Sequence, residues 1–216
     1  MLLPLFLGCK GNPLESDQQQ LSSEDSNQLY DHISFYESEQ RHIWQKPNYV
    51  IELFGNNLEN KVIADIGAST GYFTFHSLPK VKKMIAVDID STMVAYMKSK
   101  VTELPKDLQE KVDIRLTQPG TSALKPGEVD GALLVSTYPY IENKASFLSQ
   151  IKTALKPDGK LIFIEFKNAD FPNGPPDNER IEYQKLIQDL TDAGFSTQLD
   201  TSSLTYQYIV LGSIRQ

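Results

Sequence analysis

The sequence predicts an α/β fold, a mostly parallel sheet with helices on both faces, and three observations carry that expectation. Short β-branched apolar runs such as Val62–Ile66, Met84–Asp88 and Lys160–Phe166 alternate with helix-like stretches, as expected of parallel strands buried on both faces. The first run passes through Gly67-Ala-Ser-Thr-Gly71 directly into a helical pattern. Its glycines allow a tight strand-to-helix crossing and remove Cβ atoms that would keep a ligand away. The first run carries an acid at its end, Asp65, and the second ends in Asp88.

The elements follow in order. Pro47 suits the first turn of a helix whose Val50, Ile51 and Phe54 share a face, with Gly55 as its stop. Lys61–Ile66 is the first strand, Tyr72–Leu78 the helix after it, and Met84–Asp88 the second strand. Ser91 is expected to cap a helix that aligns Val94, Met97 and Val101. Val112–Leu116 reads as the third strand and Val129–Ser136 as the fourth. Asn143 caps a helix burying Phe147, Leu148, Ile151 and Leu155; the turn Lys156-Pro-Asp-Gly159 then leads into Lys160–Phe166. Asn168–Asn178 has no periodicity. Tyr183, Leu186, Ile187 and Leu190 align on a helix ended by Gly194, and Phe195–Asp200 and Tyr206–Gly212 close the chain as neighbouring strands.

Composition narrows the function. With 216 residues the chain suits one domain, 30–216, behind a tail, 1–29. A net charge of −7 argues against nucleic acid as a partner, since phosphate binding relies on basic patches. The densest basic run, Lys80-Val-Lys-Lys83, reads as a solvated loop. One cysteine excludes an internal disulfide or a Cys-rich zinc site, and His32, His42 and His76 lack metal-ligand spacing, so no metal is expected.

The N-terminus reads separately. Met1-Leu-Leu-Pro-Leu-Phe-Leu-Gly-Cys9 resembles the processing box of bacterial lipoproteins, with Cys9 as the acylated residue attaching the chain to a membrane. Asn12–Gln28, polar with almost nothing to bury, would be the tether. The alternative is an ordinary apolar N-terminus on a cytoplasmic protein.

A strand, a glycine turn, a helix and a strand ending in an acid describe a nucleotide-type pocket, since a carboxylate can accept two hydrogen bonds from a ribose diol. The spelling Gly67-Ala-Ser-Thr-Gly71 departs from the Gly-x-Gly-x-x-Gly of dinucleotide folds, and no phosphate-binding lysine loop is present. Asp65-Ile-Gly-Ala-Ser-Thr-Gly71, Ala86-Val-Asp-Ile-Asp90 and Leu155-Lys-Pro-Asp-Gly-Lys-Leu161 resemble, in order and spacing, the motifs of class I S-adenosylmethionine-dependent methyltransferases. That resemblance implies a Rossmann-like seven-stranded sheet with one antiparallel C-terminal strand, and S-adenosyl-L-methionine as cofactor.

It also implies roles. Asp65 would orient the amino group of the methionine part, and Gly67, Ala68, Ser69 and Gly71 would floor that moiety; relatives often have glycine where Ser69 stands. Asp88 would take the ribose hydroxyls and Ile89 would stack on the adenine edge, with Asp90 leading the next helix. Relatives carry an acid after the third strand where this chain has Gln118, so Gln118 or a backbone carbonyl would meet the adenine amino group. Ser136, often Asp in relatives, would face the sulfonium and the acceptor. Tyr138, Tyr140, His42 and Glu165 are acid–base candidates without a spacing that singles one out. The family layout puts the Tyr36-to-Trp44 segment over the cofactor cleft and Asn168–Asn178 over the acceptor. A methyltransferase of a small-molecule acceptor is the leading expectation. A non-catalytic adenosyl-binding envelope protein is an alternative, motivated by Ser69, Gly120 and Ser136 and by the lipid anchor that Cys9 would carry. A nicotinamide oxidoreductase is disfavoured by the glycine spelling and the terminal strand pair.

Overall fold

A computed structural model describes residues 33–34, 37–38, 40–168 and 174–215. The lipoprotein-like Met1–Cys9, the polar Asn12–Gln28 and residues 169–173 of the expected acceptor loop lie outside them. Tyr36–Gln216 is one compact unit; of the other, Met1–Phe35, only residues 33–34 are described, and they are helical.

The described residues form a seven-stranded sheet in the order β3-β2-β1-β4-β5-β7-β6. Its strands are β1 Val62–Ile66, β2 Lys83–Asp88, β3 Val112–Leu116, β4 Val129–Val135, β5 Leu155–Phe166, β6 Phe195–Asp200 and β7 Gln207–Ile214. Strands β1 to β5 pair in parallel, whereas β7 is antiparallel to both β5 and β6. The single reversed strand follows from the short connection between β6 and β7, which leaves no room for a crossover helix. Helices are α1 Gln40–Gln45, α2 Pro47–Glu52, α3 Tyr72–Ser77, α4 Ser91–Glu103, α5 Lys106–Gln109, α6 Lys144–Ala154 and α7 Tyr183–Asp192.

Side chains alternate across the sheet and build a core on each face. On one, Val50 and Ile51 of α2, Phe54 just after it and Phe73 of α3 meet Ile63, Leu133, Ile162 and Ile164. On the other, Phe147, Leu148 and Ile151 of α6 and Leu186 and Leu190 of α7 meet Ala64, Leu134, Phe163 and Val210. Burying one such side chain contributes about 1.5–3 kcal/mol, so these stripes dock the helices. Gly131 lets Phe54 lie against β4, since a Cβ there would meet its ring at 2.4 Å.

Three local expectations change. The cap of α4 is Asp90, whose carboxylate accepts from the Thr92 and Met93 amides, so Ser91 is already inside the helix. A carboxylate outcompetes a hydroxyl for adjacent amides at a helix start because it also meets the positive end of the dipole. The segment 156–159, expected as a turn, stays within β5, since Leu155 pairs with Val129 before the register shifts to Gly131 and Lys160. The short helix α5 was not expected; its four residues hold too little pattern to be seen.

Candidate functional site

The strand order reverses between β1 and β4, so the loops after these two strands diverge and leave a crevice at the carboxyl edge. On the β1 side, Gly67, Ser69 and Gly71 all have positive φ, +74°, +51° and +81°. Gly67 brings the loop against the turn after β4: a Cβ there would come within 2.4 Å of Thr137. Ser69 adopts the conformation natural to glycine, which costs a side-chain-bearing residue about 1 kcal/mol. Its amide donates to Asp88 Oδ2 at 2.6 Å, while its hydroxyl and that of Thr70 are buried without a hydrogen-bond partner. Ala68 packs into the small cluster of Ala86, Val94 and Met97.

Asp88 ends β2, is 8 % exposed, and also accepts from the Asp90 amide at 2.9 Å through Oδ1. A carboxylate has about four acceptor sites, so both oxygens retain a lone pair for a ligand. Beside it lies a cavity with about 470 Å³ of free space, counting its open mouth. Gly67, Asp88 and the largely exposed Ile89 form one wall. Thr117, Gln118, Pro119 and Thr121, after β3, form the second. Thr137, Tyr140, Ile141 and Phe147 close it from the β4 side. Of this wall, Thr137 and Tyr140 belong to the string after the fourth strand that the resemblance places at the site, whereas Ile141 and Phe147 are additions, Phe147 reading in the sequence as helix core.

The remaining expected site residues, Asp65, Ala68, Ser69, Gly71 and Ser136, do not line this cavity. Asp65 is 3 % exposed and accepts from Thr74 Oγ1 at 2.7 Å. Burial pushes its carboxyl up to about 6, against the opposing pull of its Thr74 bonds and the Arg41 charge. Arg41 belongs to α1, and its guanidinium lies 4.1 Å from the centre of the Tyr72 ring at the start of α3. Next to it, His42 and His76 meet Nε2 to Nε2 at 2.7 Å. His76 Nδ1 faces the Tyr72 carbonyl at 2.6 Å, so Nδ1 carries the proton and His42 donates to His76 Nε2. Burial lowers the His76 pKa, which keeps the ring in this neutral accepting form. His42 is thereby occupied in joining α1 to α3. At the far end of α1, Trp44 packs on Phe166 and Tyr206, with ring centres 6.0 and 6.3 Å away.

The turn after β4 has an anchor of its own. Ser136 has φ +51°, and its amide donates to the Ile164 carbonyl. Glu165, 2 % exposed, accepts from the Thr137 and Tyr138 amides at 3.2 and 3.1 Å. Burial drives its carboxyl up to about 8, although those amides and Lys144 pull it down. Tyr138 is fully buried, edge-on to Phe163, and donates to Asp189, while the exposed Tyr140 donates to Glu179. All four acid–base candidates are thus tied to partners inside the protein, and of the four only Tyr140 also flanks the cavity. Among the described residues, no group of three His, Cys, Asp or Glu could hold a metal ion.

Residues 64–163 match the family model described as a methyltransferase domain. The chain is 26 % identical over 137 residues to a probable S-adenosylmethionine-dependent methyltransferase of Saccharomyces cerevisiae, covering 59 % of this chain and 46 % of that one. It is 30 % identical over 64 residues to the ribosomal RNA small subunit methyltransferase A of Mycoplasmopsis synoviae, 30 % of this chain and 24 % of that protein. The chain therefore spans less than half the length of these curated relatives. A solved S-adenosylmethionine-dependent methyltransferase from Aquifex aeolicus superimposes with a TM-score of 0.76 at 22 % identity, over 88 % of this chain and 99 % of that one. A glycopeptide N-methyltransferase solved with S-adenosylmethionine superimposes at 0.64 with 12 % identity, over 78 % and 87 %. These likenesses establish the fold.

Proposed function

We propose that this class I S-adenosylmethionine-dependent methyltransferase domain moves the cofactor's methyl group onto a small-molecule acceptor. The observation that carries the reading is the pairing of Asp88, with free lone pairs on both carboxylate oxygens, and a mainly apolar cavity beside it. A nucleoside needs both, a carboxylate for its diol and apolar walls for its base. The residues fit the group in one further respect: the glycine loop leaves two buried hydroxyls, Ser69 and Thr70, without partners.

When bound, the sulfonium supplies an electrophilic methyl carbon and departs as the neutral thioether of adenosylhomocysteine. The chain's own residues bind and orient. Asp88 would hold the ribose, Ile89 and the Thr117–Thr121 wall would enclose the base, and Asp65 would meet the amino group on the α1 side of the edge. Fixing the reactants in line accounts for several kcal/mol of barrier lowering on its own, on the order of 7–11 in the best cases.

The test is calorimetry with adenosylhomocysteine, followed by transfer of a tritiated methyl group to cell extract separated into small-molecule, protein and RNA fractions. Micromolar binding and label among small molecules are expected, since a net charge of −7 disfavours RNA. Label in RNA would reassign the acceptor; absence of binding would remove the reading.

Asp65 makes this binding pH-dependent. A ligand ammonium needs the ionised carboxylate, and that carboxyl titrates near 6. Affinity for adenosylhomocysteine should fall up to tenfold per unit below about pH 6 and level off above it. Methylthioadenosine, which lacks the amino acid, should not show the Asp65 step. Equal pH profiles for the two ligands would exclude this role for Asp65.

A further inference from the structure

Above β4, β5 and β7 runs a buried chain of side-chain hydrogen bonds. Arg41 Nε donates to Gln45 Oε1 at 2.5 Å, Gln45 Nε2 to Gln207 Oε1 at 3.1 Å, and Gln207 Nε2 to Ser136 Oγ at 3.1 Å. Gln45 is 2 % exposed and Gln207 is fully buried. The oxygen and nitrogen of a glutamine amide have nearly the same shape, so direction in such a chain usually has to be assigned. Here it is dictated from one end. A guanidinium can only donate, so the Gln45 oxygen must face Arg41 and its NH2 must face Gln207. The Gln207 oxygen is then taken, and its NH2 must face Ser136. With a lone pair of Oγ filled by this donor, the Ser136 hydroxyl gives its proton elsewhere, and among the described residues none accepts it.

We propose that the Arg41–Gln45–Gln207 relay makes Ser136 a fixed hydrogen-bond donor to an anionic oxygen held at the reaction edge. Ser136 opens the turn after β4, in a backbone conformation that strains a residue with a side chain. Each bond in an aligned series polarises the next, so a hydroxyl fed from a guanidinium is a stronger donor than an isolated serine. An acid at this position would accept; this chain presents a donor, which suits an oxygen that is already charged. Two sources offer that oxygen, the carboxylate of the cofactor's methionine part and a carboxylate or oxyanion on the acceptor. The inference rests on the cofactor reading above.

Two variants test it. Ser136→Ala removes the donor. Gln207→Glu keeps the volume but can only accept when ionised, so the serine proton turns inward and the hydroxyl survives without its outward bond. Adenosylhomocysteine and methylthioadenosine binding are measured for parent and variants, together with methyl transfer to the small-molecule fraction of extract. If the oxygen is the cofactor's carboxylate, both variants weaken adenosylhomocysteine about five- to tenfold and leave methylthioadenosine unchanged. If it is the acceptor's, both ligands bind as before and transfer falls at least tenfold. Parent-like binding and transfer in both variants overturns the proposal, as does a loss in S136A that Q207E does not share. Thermal melts check folding, and Gln207→Met, which removes the donor without adding a charge, replaces Q207E if that chain does not fold. A parent chain that binds neither nucleoside removes the cofactor reading and this inference with it.

Discussion

Asp88→Ala should lower the affinity for adenosylhomocysteine by roughly a hundredfold or more. Two ribose hydroxyls donating to one carboxylate are charge-assisted bonds, about 1.5–3 kcal/mol each, and truncation removes both. The same change also frees the Ser69 and Asp90 amides, which Asp88 holds at 2.6 and 2.9 Å. Some stability is lost with them, on the order of 1–3 kcal/mol, chiefly through the partly buried Ser69 amide. The ligand effect separates from this damage in a double-mutant cycle with a 2′,3′-dideoxy analogue. The analogue should bind the parent weakly, and Asp88→Ala should weaken it little further. Equal losses for both ligands would mean that Asp88 only shapes the loop.

The second large effect concerns Glu165. Its carboxyl titrates near 8 in the folded protein because burial disfavours the charge. The unfolded chain ionises it near 4.5. Between these values the folded state holds a proton that the unfolded state has lost, so stability falls as pH rises from about 4.5 to about 8 and is level outside that window. The loss has an upper bound on the order of 5 kcal/mol at full desolvation. Glu165→Gln keeps an acceptor oxygen for the Thr137 and Tyr138 amides and removes the titration. Denaturant unfolding at pH 5 and pH 8.5 should show near-equal stability for parent and variant at the lower value and a more stable variant at the higher. Parallel pH curves would contradict the assignment. Glu165→Leu should destabilise at every pH, because it strands two buried amides of the turn that supplies Thr137, Tyr140 and Ile141 to the cavity.

Much of the frame is legible in the chain itself. Val62–Ile66 and Met84–Asp88 are apolar without a break because a parallel strand is covered on both faces, and the structure places both within one residue of the expected bounds. Asn143 and Gly194 were legible as helix ends because a cap is a local event: Asn143 accepts from the Ser146 amide, and Gly194 takes φ +85°. Asp90, and not Ser91, is the cap of α4: both are good caps, and sequence order alone does not choose between adjacent candidates.

What the amino-acid order determined is therefore whatever depends on neighbours along the chain: strand and helix periods, the glycine crossing at Gly67 and Gly71, and an acid at the end of β2. What only the tertiary structure decided is which distant groups share a buried volume. Gln45 and Gln207 are 162 positions apart and Gln207 and Ser136 are 71 apart; no local pattern relates them. Glu165 reads in sequence as an acid inside an apolar strand and acquires its raised pKa only when the turn after β4 folds over it. The reason is physical. Backbone conformation follows from sterics and hydrogen bonding within a few residues, whereas the charge state of a carboxyl and the direction of a hydrogen bond are set by atoms that packing brings near.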